Sequence, residues 1–289
     1  MTDVCIVGAG PAGISAALYV LRGGFSCTII ENGAGALEKA ALIENYYGFA
    51  EPITGAKLAH HGKAQAARLG AQFVRGEVVS LLPDEAGGFA LGLADGAVLT
   101  ARTLVLAAGS PRKSPKIPGL AELEGHGVSY CAVCDAFFYR KKAVAVLGFG
   151  AYAKEEAAHL LPMAASVTLL TNGEGAGADF PENVQIRTQT VEAVLGDGHV
   201  TGVQLAGGVT VPVDGVFVAY GSAGSADLAR KIGAVVEGNT IVTDALGATN
   251  IPGLYAAGDC VGGTLQVAKA VCDGMTVGLS LGRFLRKEA

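Results

Sequence analysis

The first 31 residues consist of two short apolar runs separated by a glycine-rich turn and a longer stretch. Val4-Cys5-Ile6-Val7 leads into Gly8-Ala9-Gly10-Pro11-Ala12-Gly13, and an Ala/Leu-rich stretch follows that ends near Gly23-Gly24. The second apolar run is Cys27-Thr28-Ile29-Ile30, which ends at Glu31. Short apolar runs bounded by turn residues are typical of buried strands, and the longer stretch between them has helical composition. The pattern predicts a strand, a helix and a second strand.

The turn after the first strand has the spacing of a nucleotide-binding loop. Gly8, Gly10 and Gly13 let the backbone approach a pyrophosphate closely, and the amides of residues 10–13 would face it at a helix N-terminus. Glu31 lies 21 residues after Gly10, which is the spacing at which an acid reaches a ribose hydroxyl. The alternative is a tight turn that binds nothing. The order of strand, loop, helix, strand and acid favours a bound dinucleotide.

The same pattern returns after an offset of 140 residues. Residues 143–147 form the predicted strand, Gly148-Phe149-Gly150-Ala151-Tyr152-Ala153 the loop, Lys154 to about Leu161 the helix, and residues 167–170 the next strand. Because each repeat forms a βαβ unit, the sequence predicts two domains built on parallel sheets.

Three features of the second unit argue against a nicotinamide dinucleotide site. Thr171 stands where Glu31 stands in the first unit, and no Arg occurs between Lys141 and Ile186 to bind a 2′-phosphate. Phe149 and Tyr152 replace small residues of the first loop, and we expect their bulk to crowd a pyrophosphate. The alternative is that residues from distant loops still bind a nucleotide there.

Composition narrows the class of protein. The chain has 289 residues, 51% hydrophobic and 16% charged, which is enough to bury two domain cores. Its formal charge of −5 disfavours nucleic acid as a partner. The chain begins without a basic or apolar leader and contains no apolar run long enough to span a membrane, so we predict a cytoplasmic protein without a membrane segment.

Six cysteines include one close pair, Cys131 and Cys134, with Asp135 beside it. Two thiols at this spacing can form an exchangeable disulfide, and a neighbouring carboxylate can move the proton that thiolate chemistry requires. A zinc site is the alternative, but it would need two more ligands, so we predict no metal. Cys5 and Cys27 fall on predicted strands and are interpreted as core residues.

Several segments along the chain carry a resemblance to one enzyme family. They are Gly8-Ala9-Gly10-Pro11-Ala12-Gly13, Ile43-Glu44-Asn45 with Gly48-Phe49, Ile117-Pro118-Gly119, Ser129-Tyr130-Cys131-Ala132-Val133-Cys134-Asp135 and Leu254-Tyr255-Ala256-Ala257-Gly258-Asp259. The chain resembles the low-molecular-weight flavin thioredoxin reductases over nearly its whole length. The resemblance implies an α/β fold with two Rossmann-like dinucleotide-binding domains, FAD as cofactor, and a homodimer. It implies a discontinuous FAD domain, residues 1–110 and 225–289, interrupted by a dithiol domain, residues 111–224.

The resemblance also implies roles for individual residues. Asp259 would bind the ribityl chain, although a turn or helix-cap role is the alternative. Cys134 would face the flavin, Cys131 would attack the disulfide of thioredoxin, and Asp135 would transfer the proton. The full set of implied FAD contacts is Gly8, Gly10, Pro11, Ala12, Gly13, Glu31, Asn45, Ala108, Gly109, Gly258, Asp259, Gln266 and Val267, of which the last two would begin the final helix.

Two departures from the family concern the electron donor. NADPH-using members carry a His-Arg-Arg cluster where this chain reads Thr171-Asn172-Gly173-Glu174, and an Arg where this chain has Leu265. The pattern is most similar to the ferredoxin-dependent flavin thioredoxin reductases. It predicts that reduced ferredoxin supplies electrons through FAD to the dithiol, which then reduces thioredoxin. Two basic clusters, Arg112-Lys113 with Lys116 and Arg140-Lys141-Lys142, could steer ferredoxin, or could be solvated surface.

Other functions remain open at this point. Electrons could flow in the opposite direction, which would make the protein a dithiol oxidase. A second flavin in the middle domain would make it a diflavin enzyme, and a divergent nucleotide site would make it an NADPH-dependent thioredoxin reductase. A non-catalytic flavoprotein that senses redox state is the alternative from a different class.

Overall fold

The computed structural model describes residues 1–85, 87–109 and 115–288. Its strands are, in chain order, β1 Thr2–Val7, β2 Cys27–Glu31, β3 Gln72–Arg75, β4 Val78–Pro83, β5 Phe89–Leu93, β6 Val98–Leu106, β7 Val128–Ser129, β8 Ala143–Gly148, β9 Ser166–Leu170, β10 Val184–Arg187, β11 Val191–Gly196, β12 Val200–Leu205, β13 Val209–Pro212, β14 Gly215–Ala219, β15 Val236–Glu237, β16 Thr240–Ile241 and β17 Leu254–Ala256. Its α-helices are α1 Pro11–Arg22, α2 Gly55–Arg68, α3 Ala132–Asp135, α4 Ala151–Leu160, α5 Ser225–Lys231 and α6 Val267–Lys287. Short 3₁₀ turns occupy Leu37–Lys39, Ala136–Tyr139 and Gly258–Val261.

The chain folds into two compact units. The first combines Met1–Pro111 with Gly224–Ala289, and the second is Arg112–Ala223. The first unit is therefore discontinuous in sequence, and the second is inserted between its two segments.

The first unit contains a sheet of seven strands. Five of them, in the order β3, β2, β1, β6 and β17, pair in parallel. The first half of β6 also pairs antiparallel with β5, which in turn pairs with β4. Strands β1 and β2 are buried over most of their length, which explains why their sequences are continuous apolar runs rather than alternating ones.

The first helix begins and ends where its sequence provides the appropriate residues. Gly10 is its extended N-cap residue, Pro11 occupies the first helical position, and Gly23 follows its last residue. Proline suits the first position because the N–H that it lacks would have no intrahelical partner there.

Helix α6 lies directly against α1 because two glycines permit close approach. A Cβ atom on Gly274 would overlap the carbonyl oxygen of Ala12, and one on Gly278 would lie 2.6 Å from the carbonyl oxygen of Ala16. The hydroxyl of Ser15 crosses this contact and donates to the carbonyl of Val271 at 2.7 Å. The last helix of the chain thus completes the core around the first helix.

The second unit repeats the architecture of the first. Its parallel sheet has the order β10, β9, β8, β14 and β7, and β11 to β13 form an antiparallel sheet of three strands. The α/β class and the two parallel-sheet units predicted from the repeated pattern are confirmed. Over the described ranges, no helix combines the length and hydropathy that crossing a bilayer requires.

Two predictions about the second glycine loop are wrong. Helix α4 begins at Ala151, three residues before the predicted start, because the end of the loop forms the first helical turn. Tyr152 was expected to crowd a pyrophosphate, but its side chain is fully buried in the core beneath α4. The Tyr152 side chain therefore packs within the core and does not occupy the space in which a ligand would contact the loop.

Candidate functional site: two glycine loops and a dithiol

The first glycine loop packs its backbone closely on itself and against the segment that follows β6. Gly8 has a φ of +114°, and a Cβ atom there would lie 2.7 Å from the amide nitrogen of Ala108. A Cβ atom on Gly13 would overlap the carbonyl oxygen of Gly8. Gly10 caps α1 without a side-chain acceptor, and the first amides of a helix have no intrahelical partner. The loop therefore presents unpaired amides at a positive helix end, which is an anion-binding arrangement.

Glu31 lies at the end of β2, where the parallel pairing with β1 places it beside this loop. Its carboxylate forms an ion pair with Lys63 of α2 at 2.7 Å, and Lys63 also contacts Glu38 at 3.2 Å. Hydrogen bonding to Glu31, together with that to Glu38, raises the pKa of Lys63 in spite of its partial burial. Lys63 was missed by the sequence analysis, since no local pattern connects α2 with β2.

The C-terminal segment reaches the same loop through Gly258. A Cβ atom on Gly258 would lie 2.9 Å from the Cβ of Ala12. The Gly258 N–H donates to Asp273 at 3.0 Å, and Lys269 donates to the carbonyls of Gly258 and Gly262. These contacts hold the short turn that carries Asp259, which is partly exposed.

Two predicted flavin-contacting residues meet although they lie 221 positions apart in the sequence. The side-chain amide of Asn45 donates to Oε1 of Gln266 at 3.1 Å. Gln266 is the N-cap residue of α6 and Val267 is its first residue, so the final helix begins where the sequence predicted.

Ala108 and Gly109 follow β6, at the same end of the sheet as the glycine loop. The Ala108 N–H donates to the hydroxyl of Ser225 at 3.0 Å, and Gly109 has a φ of +81°. Ser225 is 1% exposed and is the first residue of α5. The sequence analysis missed it, because a serine at the start of a helix is usually only a capping residue.

The second glycine loop is covered by a segment of the same unit. The Gly177 N–H donates to the carbonyl of Phe149 at 2.6 Å, and a Cβ atom on Gly177 would lie 3.9 Å from the Cα of Gly150. We call residues 172–180 the strap. Its first turn is held by the hydroxyl of Thr171, which donates to the carbonyl of Glu174. Gly150 is the N-cap of α4, so the strap lies where a pyrophosphate would meet that helix.

The dithiol is present as a disulfide between Cys131 and Cys134, with the two Cα atoms 5.3 Å apart. Cys131 is the N-cap residue of α3, and its sulfur accepts a hydrogen bond from the Cys134 N–H at 3.2 Å. Cys131 is 3% exposed, whereas Cys134 is exposed. Cys131, which the resemblance assigns to attack on thioredoxin, is thus the buried cysteine of the pair.

Asp135 is held close to this pair by Ser129. The Ser129 hydroxyl donates to the Asp135 carboxylate at 2.7 Å and accepts from the Cys131 N–H at 3.1 Å. Asp135 directly follows Cys134, and a carboxylate fixed next to a disulfide cysteine can deliver a proton to its sulfur or accept one from it. Ser129 itself was not singled out as a site residue in the sequence analysis.

The remaining buried thiols are poor nucleophiles. Burial raises the pKa of Cys5 and of Cys27 to about 12, and that of Cys260 to about 11. Since only the thiolate reacts, these groups are inert near neutral pH. Among the described residues there is no cluster of His, Cys, Asp or Glu that could hold a metal ion. Cys272 is the one exposed free cysteine, and Cys131 and Cys134 are the pair that the described residues join in a disulfide.

Comparison with known proteins decides the family. The family model for pyridine nucleotide-disulphide oxidoreductases matches residues 2–274. The chain belongs to this family. It is 34% identical to a thioredoxin reductase of Listeria innocua over 303 aligned positions, which cover 99% of this chain and 94% of that protein.

Solved structures give the same result. The atypical thioredoxin reductase TRi from Desulfovibrio vulgaris Hildenborough matches with a TM-score of 0.93 and 35% identity, covering 100% of this chain and 99% of that one. A ferredoxin-flavin thioredoxin reductase from Clostridium acetobutylicum matches with a TM-score of 0.71 and 30% identity, covering 99% and 98%. The chain is accordingly an FAD-dependent disulfide oxidoreductase of the thioredoxin reductase type.

The first glycine loop fits FAD. Gly8 and Gly13 allow the tight turn, a Cβ atom on Gly10 would meet no atom within 4 Å, and the uncapped start of α1 offers amides to a pyrophosphate. Glu31 lies at the end of β2 beside this loop, and its contact with the ribose stays a prediction. In the second loop, by contrast, the Phe149 carbonyl already accepts from the Gly177 N–H of the strap, and Gly177 lies close to the N-cap residue Gly150.

Proposed function

We propose that this protein reduces thioredoxin through the Cys131–Cys134 pair and receives its electrons from reduced ferredoxin rather than from NADPH. The single observation that carries the choice of donor is the hydrogen bond from Gly177 to Phe149, through which the strap covers the second glycine loop. A nicotinamide dinucleotide would have to displace this segment before its phosphates could reach α4.

The surroundings of the covered loop support the same proposal. Thr171 is fully buried and donates a hydrogen bond to Glu174 of the strap, so no acid is offered to a ribose at the end of β9. Arg187, the nearest arginine after β9 in the sequence, pairs through its backbone carbonyl with the Thr171 N–H and has an exposed side chain. The end of β9 therefore lacks the ribose acceptor, whereas a cation is present beside it. An NADPH site normally needs both an acceptor for the ribose and a cation for the 2′-phosphate.

We further propose that the discontinuous unit holds FAD and that the inserted unit carries only the dithiol. FAD, when bound, can accept electrons singly and pass a pair to a disulfide, which suits a one-electron donor such as ferredoxin. The Clostridium acetobutylicum relative is a ferredoxin-flavin thioredoxin reductase by description, and it matches nearly the whole of this chain. A second flavin in the inserted unit is disfavoured for the same reason as NADPH.

The residues around the dithiol support a complete reaction. Two electrons and two protons convert the disulfide into two thiols, and Asp135 can hold one of these protons because its carboxylate is fixed by Ser129. The Cys131 thiolate then attacks a thioredoxin sulfur, and Cys134 resolves the mixed disulfide, which reforms the Cys131–Cys134 bond and releases reduced thioredoxin. Because Cys131 is covered, this attack requires that Cys131 first be uncovered.

Partner surfaces complete the proposal. Arg140, Lys141 and Lys142 are exposed beside the dithiol segment and could steer an acidic electron donor. Arg112 and Lys113 of the first basic cluster lie outside the described residues, and Lys116 is exposed. We also propose that the protein is a homodimer, as the family resemblance implies.

The decisive experiment is anaerobic stopped-flow mixing of the oxidised holoprotein with NADPH, NADH and reduced ferredoxin in turn, with flavin absorbance as the readout. We expect ferredoxin to bleach the flavin rapidly and both nicotinamides to leave it oxidised. Rapid bleaching by NADPH would refute the donor assignment. In the Cys134→Ser variant, reduced ferredoxin should still bleach the flavin, but the variant should not reduce thioredoxin. Equal thioredoxin turnover by this variant would refute the role of the dithiol.

The FAD content separates the remaining alternatives. Denaturation and flavin quantification should give about one FAD per chain, because only the first loop fits a dinucleotide. Two FAD per chain would establish a diflavin enzyme. Consumption of oxygen with reduced thioredoxin as substrate would establish a dithiol oxidase, and binding of thioredoxin without turnover would establish a sensor.

A further inference from the structure

A buried carboxylate from α4 reaches the helix that carries the dithiol. Glu156 is 1% exposed, and its Oε2 accepts a hydrogen bond from the Ala132 N–H at 2.6 Å. Ala132 is the first residue of α3 and directly follows Cys131. Glu156 belongs to the helix of the covered nucleotide loop, and the proposed reaction gives it no part.

The contact takes one of the few free amides at the start of α3. The Cys131 N–H donates to Ser129, the Ala132 N–H to Glu156, and the Cys134 N–H to the sulfur of Cys131. Amides at a helix start normally stabilise a thiolate and lower the pKa of a cysteine there. The Cys131 sulfur keeps its own amide partner, the Cys134 N–H, while the Glu156 carboxylate adds negative charge against the residue that follows Cys131. Glu156 therefore opposes the accumulation of negative charge on Cys131.

The redox consequence follows from which form is stabilised. A dithiol whose thiolate is strongly stabilised is a strong oxidant when it is in the disulfide form, because its reduced form is favoured. A dithiol whose thiolate is not stabilised gives up its electrons more readily. A thioredoxin-reducing enzyme needs the second behaviour.

We propose that Glu156 is a positioning residue that keeps the Cys131–Cys134 pair strongly reducing, because its carboxylate, held against the Ala132 amide, opposes negative charge on the Cys131 sulfur. The inference deepens the proposed function, which requires a reducing dithiol. The redox equilibrium between the Cys131–Cys134 pair and a small dithiol can nevertheless be measured without ferredoxin, NADPH or thioredoxin. A wrong donor assignment would therefore leave the result unaffected.

The test uses holoprotein variants equilibrated with mixtures of reduced and oxidised dithiothreitol. In this exchange dithiothreitol loses two electrons and two protons as it closes to its cyclic disulfide, and the Cys131–Cys134 bond breaks and takes them up. Acid quenching, alkylation and mass spectrometry then give the ratio of dithiol to disulfide. We expect Glu156→Gln to shift this ratio about tenfold towards the dithiol, which corresponds to about 30 mV for a two-electron couple.

Glu155→Gln is the matched control. Glu155 is the preceding residue on the same helix, is only partly buried, and lies 3.9 Å from His159 rather than against α3. The Glu155→Gln substitution removes the same charge from α4, and it should leave the ratio of dithiol to disulfide within about twofold of the native value. An equal shift in both variants, no shift in Glu156→Gln, or a shift towards the disulfide would overturn the proposal.

Two further measurements keep the test decisive. The reduced Glu156→Gln protein should react with iodoacetamide at Cys131 several-fold faster than the native protein at pH 7, because more of the thiol is ionised; an unchanged rate contradicts the proposal. If Glu156→Gln does not retain FAD, Glu156→Asp replaces it. This variant keeps the carboxylate and should stay within about threefold of the native ratio, and a tenfold shift would overturn the assignment to charge.

Discussion

The contact between α1 and α6 can be tested by adding a single methyl group. In Gly274→Ala the new Cβ would overlap the carbonyl oxygen of Ala12 and would lie 2.8 Å from the Cβ of Ser15. Both neighbours belong to a buried helix, so neither can rotate away. The helices must separate, which also strains the hydrogen bond from Ser15 to Val271.

The size of the effect follows from two opposing terms. Overpacking in a core costs about 1–3 kcal/mol of stability. The cost at Gly274 should lie at the upper end of this range, because the atom that the new Cβ overlaps belongs to the backbone and cannot rotate away. Replacing glycine with alanine inside a helix returns about 1 kcal/mol. We expect a net loss of about 2 kcal/mol for Gly274→Ala. Gly282 on the same helix is the control: a Cβ there would find its nearest neighbours at 3.7 Å and 3.8 Å, so Gly282→Ala should gain up to about 1 kcal/mol.

Urea titration of the two holoproteins measures the difference. Far-UV circular dichroism follows unfolding, and the rise of flavin fluorescence follows FAD release. We expect Gly274→Ala to release FAD at clearly lower urea than Gly282→Ala, because the first loop at α1 and the N-terminus of α6 are both placed against the predicted flavin site by this packing. Coincident midpoints for the two variants would show that the close approach of the helices does not limit stability or cofactor retention.

Two further predictions concern ion pairs of the first unit. Lys63→Met should weaken FAD binding several-fold in equilibrium dialysis, because Glu31 loses the ammonium group that orients it; an unchanged dissociation constant would contradict this role. Burial alone would raise the pKa of Asp3, but hydrogen bonds from Ser26 and Arg102 outweigh it and hold that pKa below 3.8. Asp3→Asn should therefore lower the free energy of unfolding by about 1 kcal/mol at pH 7, and the difference should vanish as the pH falls through the folded-state pKa. A constant difference down to acid pH would argue against this linkage.

Several site residues could be found from the sequence because their signals are local. Gly8, Gly10 and Gly13 are spaced for one turn, and Glu31 follows at the end of the next strand. Cys131 and Cys134 are adjacent on one helical turn, so their pairing needs no information from elsewhere in the chain. The roles assigned to the cofactor contacts stay predictions, since they depend on a bound flavin.

Other features could not be found because they join distant segments. Ser225 meets Ala108 across 117 positions, and Glu156 reaches Ala132 from a different helix. The burial of Tyr152 could not be predicted either, because the loop sequence does not specify whether a tyrosine at that position points away from the core or into it. Its burial depends on the space left by the strands and helices around it.

What the sequence determined by itself is the succession of elements and the location of the two glycine loops and the dithiol, because strand and helix periodicity, turn chemistry and short spacings act within a few residues. Only the tertiary structure decided that the strap packs against the second glycine loop. The strap covers the second loop because Gly177, which has no side chain, can bring its backbone against Phe149 and Gly150. That contact depends on how β9, α4 and the intervening chain pack together, and no local pattern in the strap encodes it.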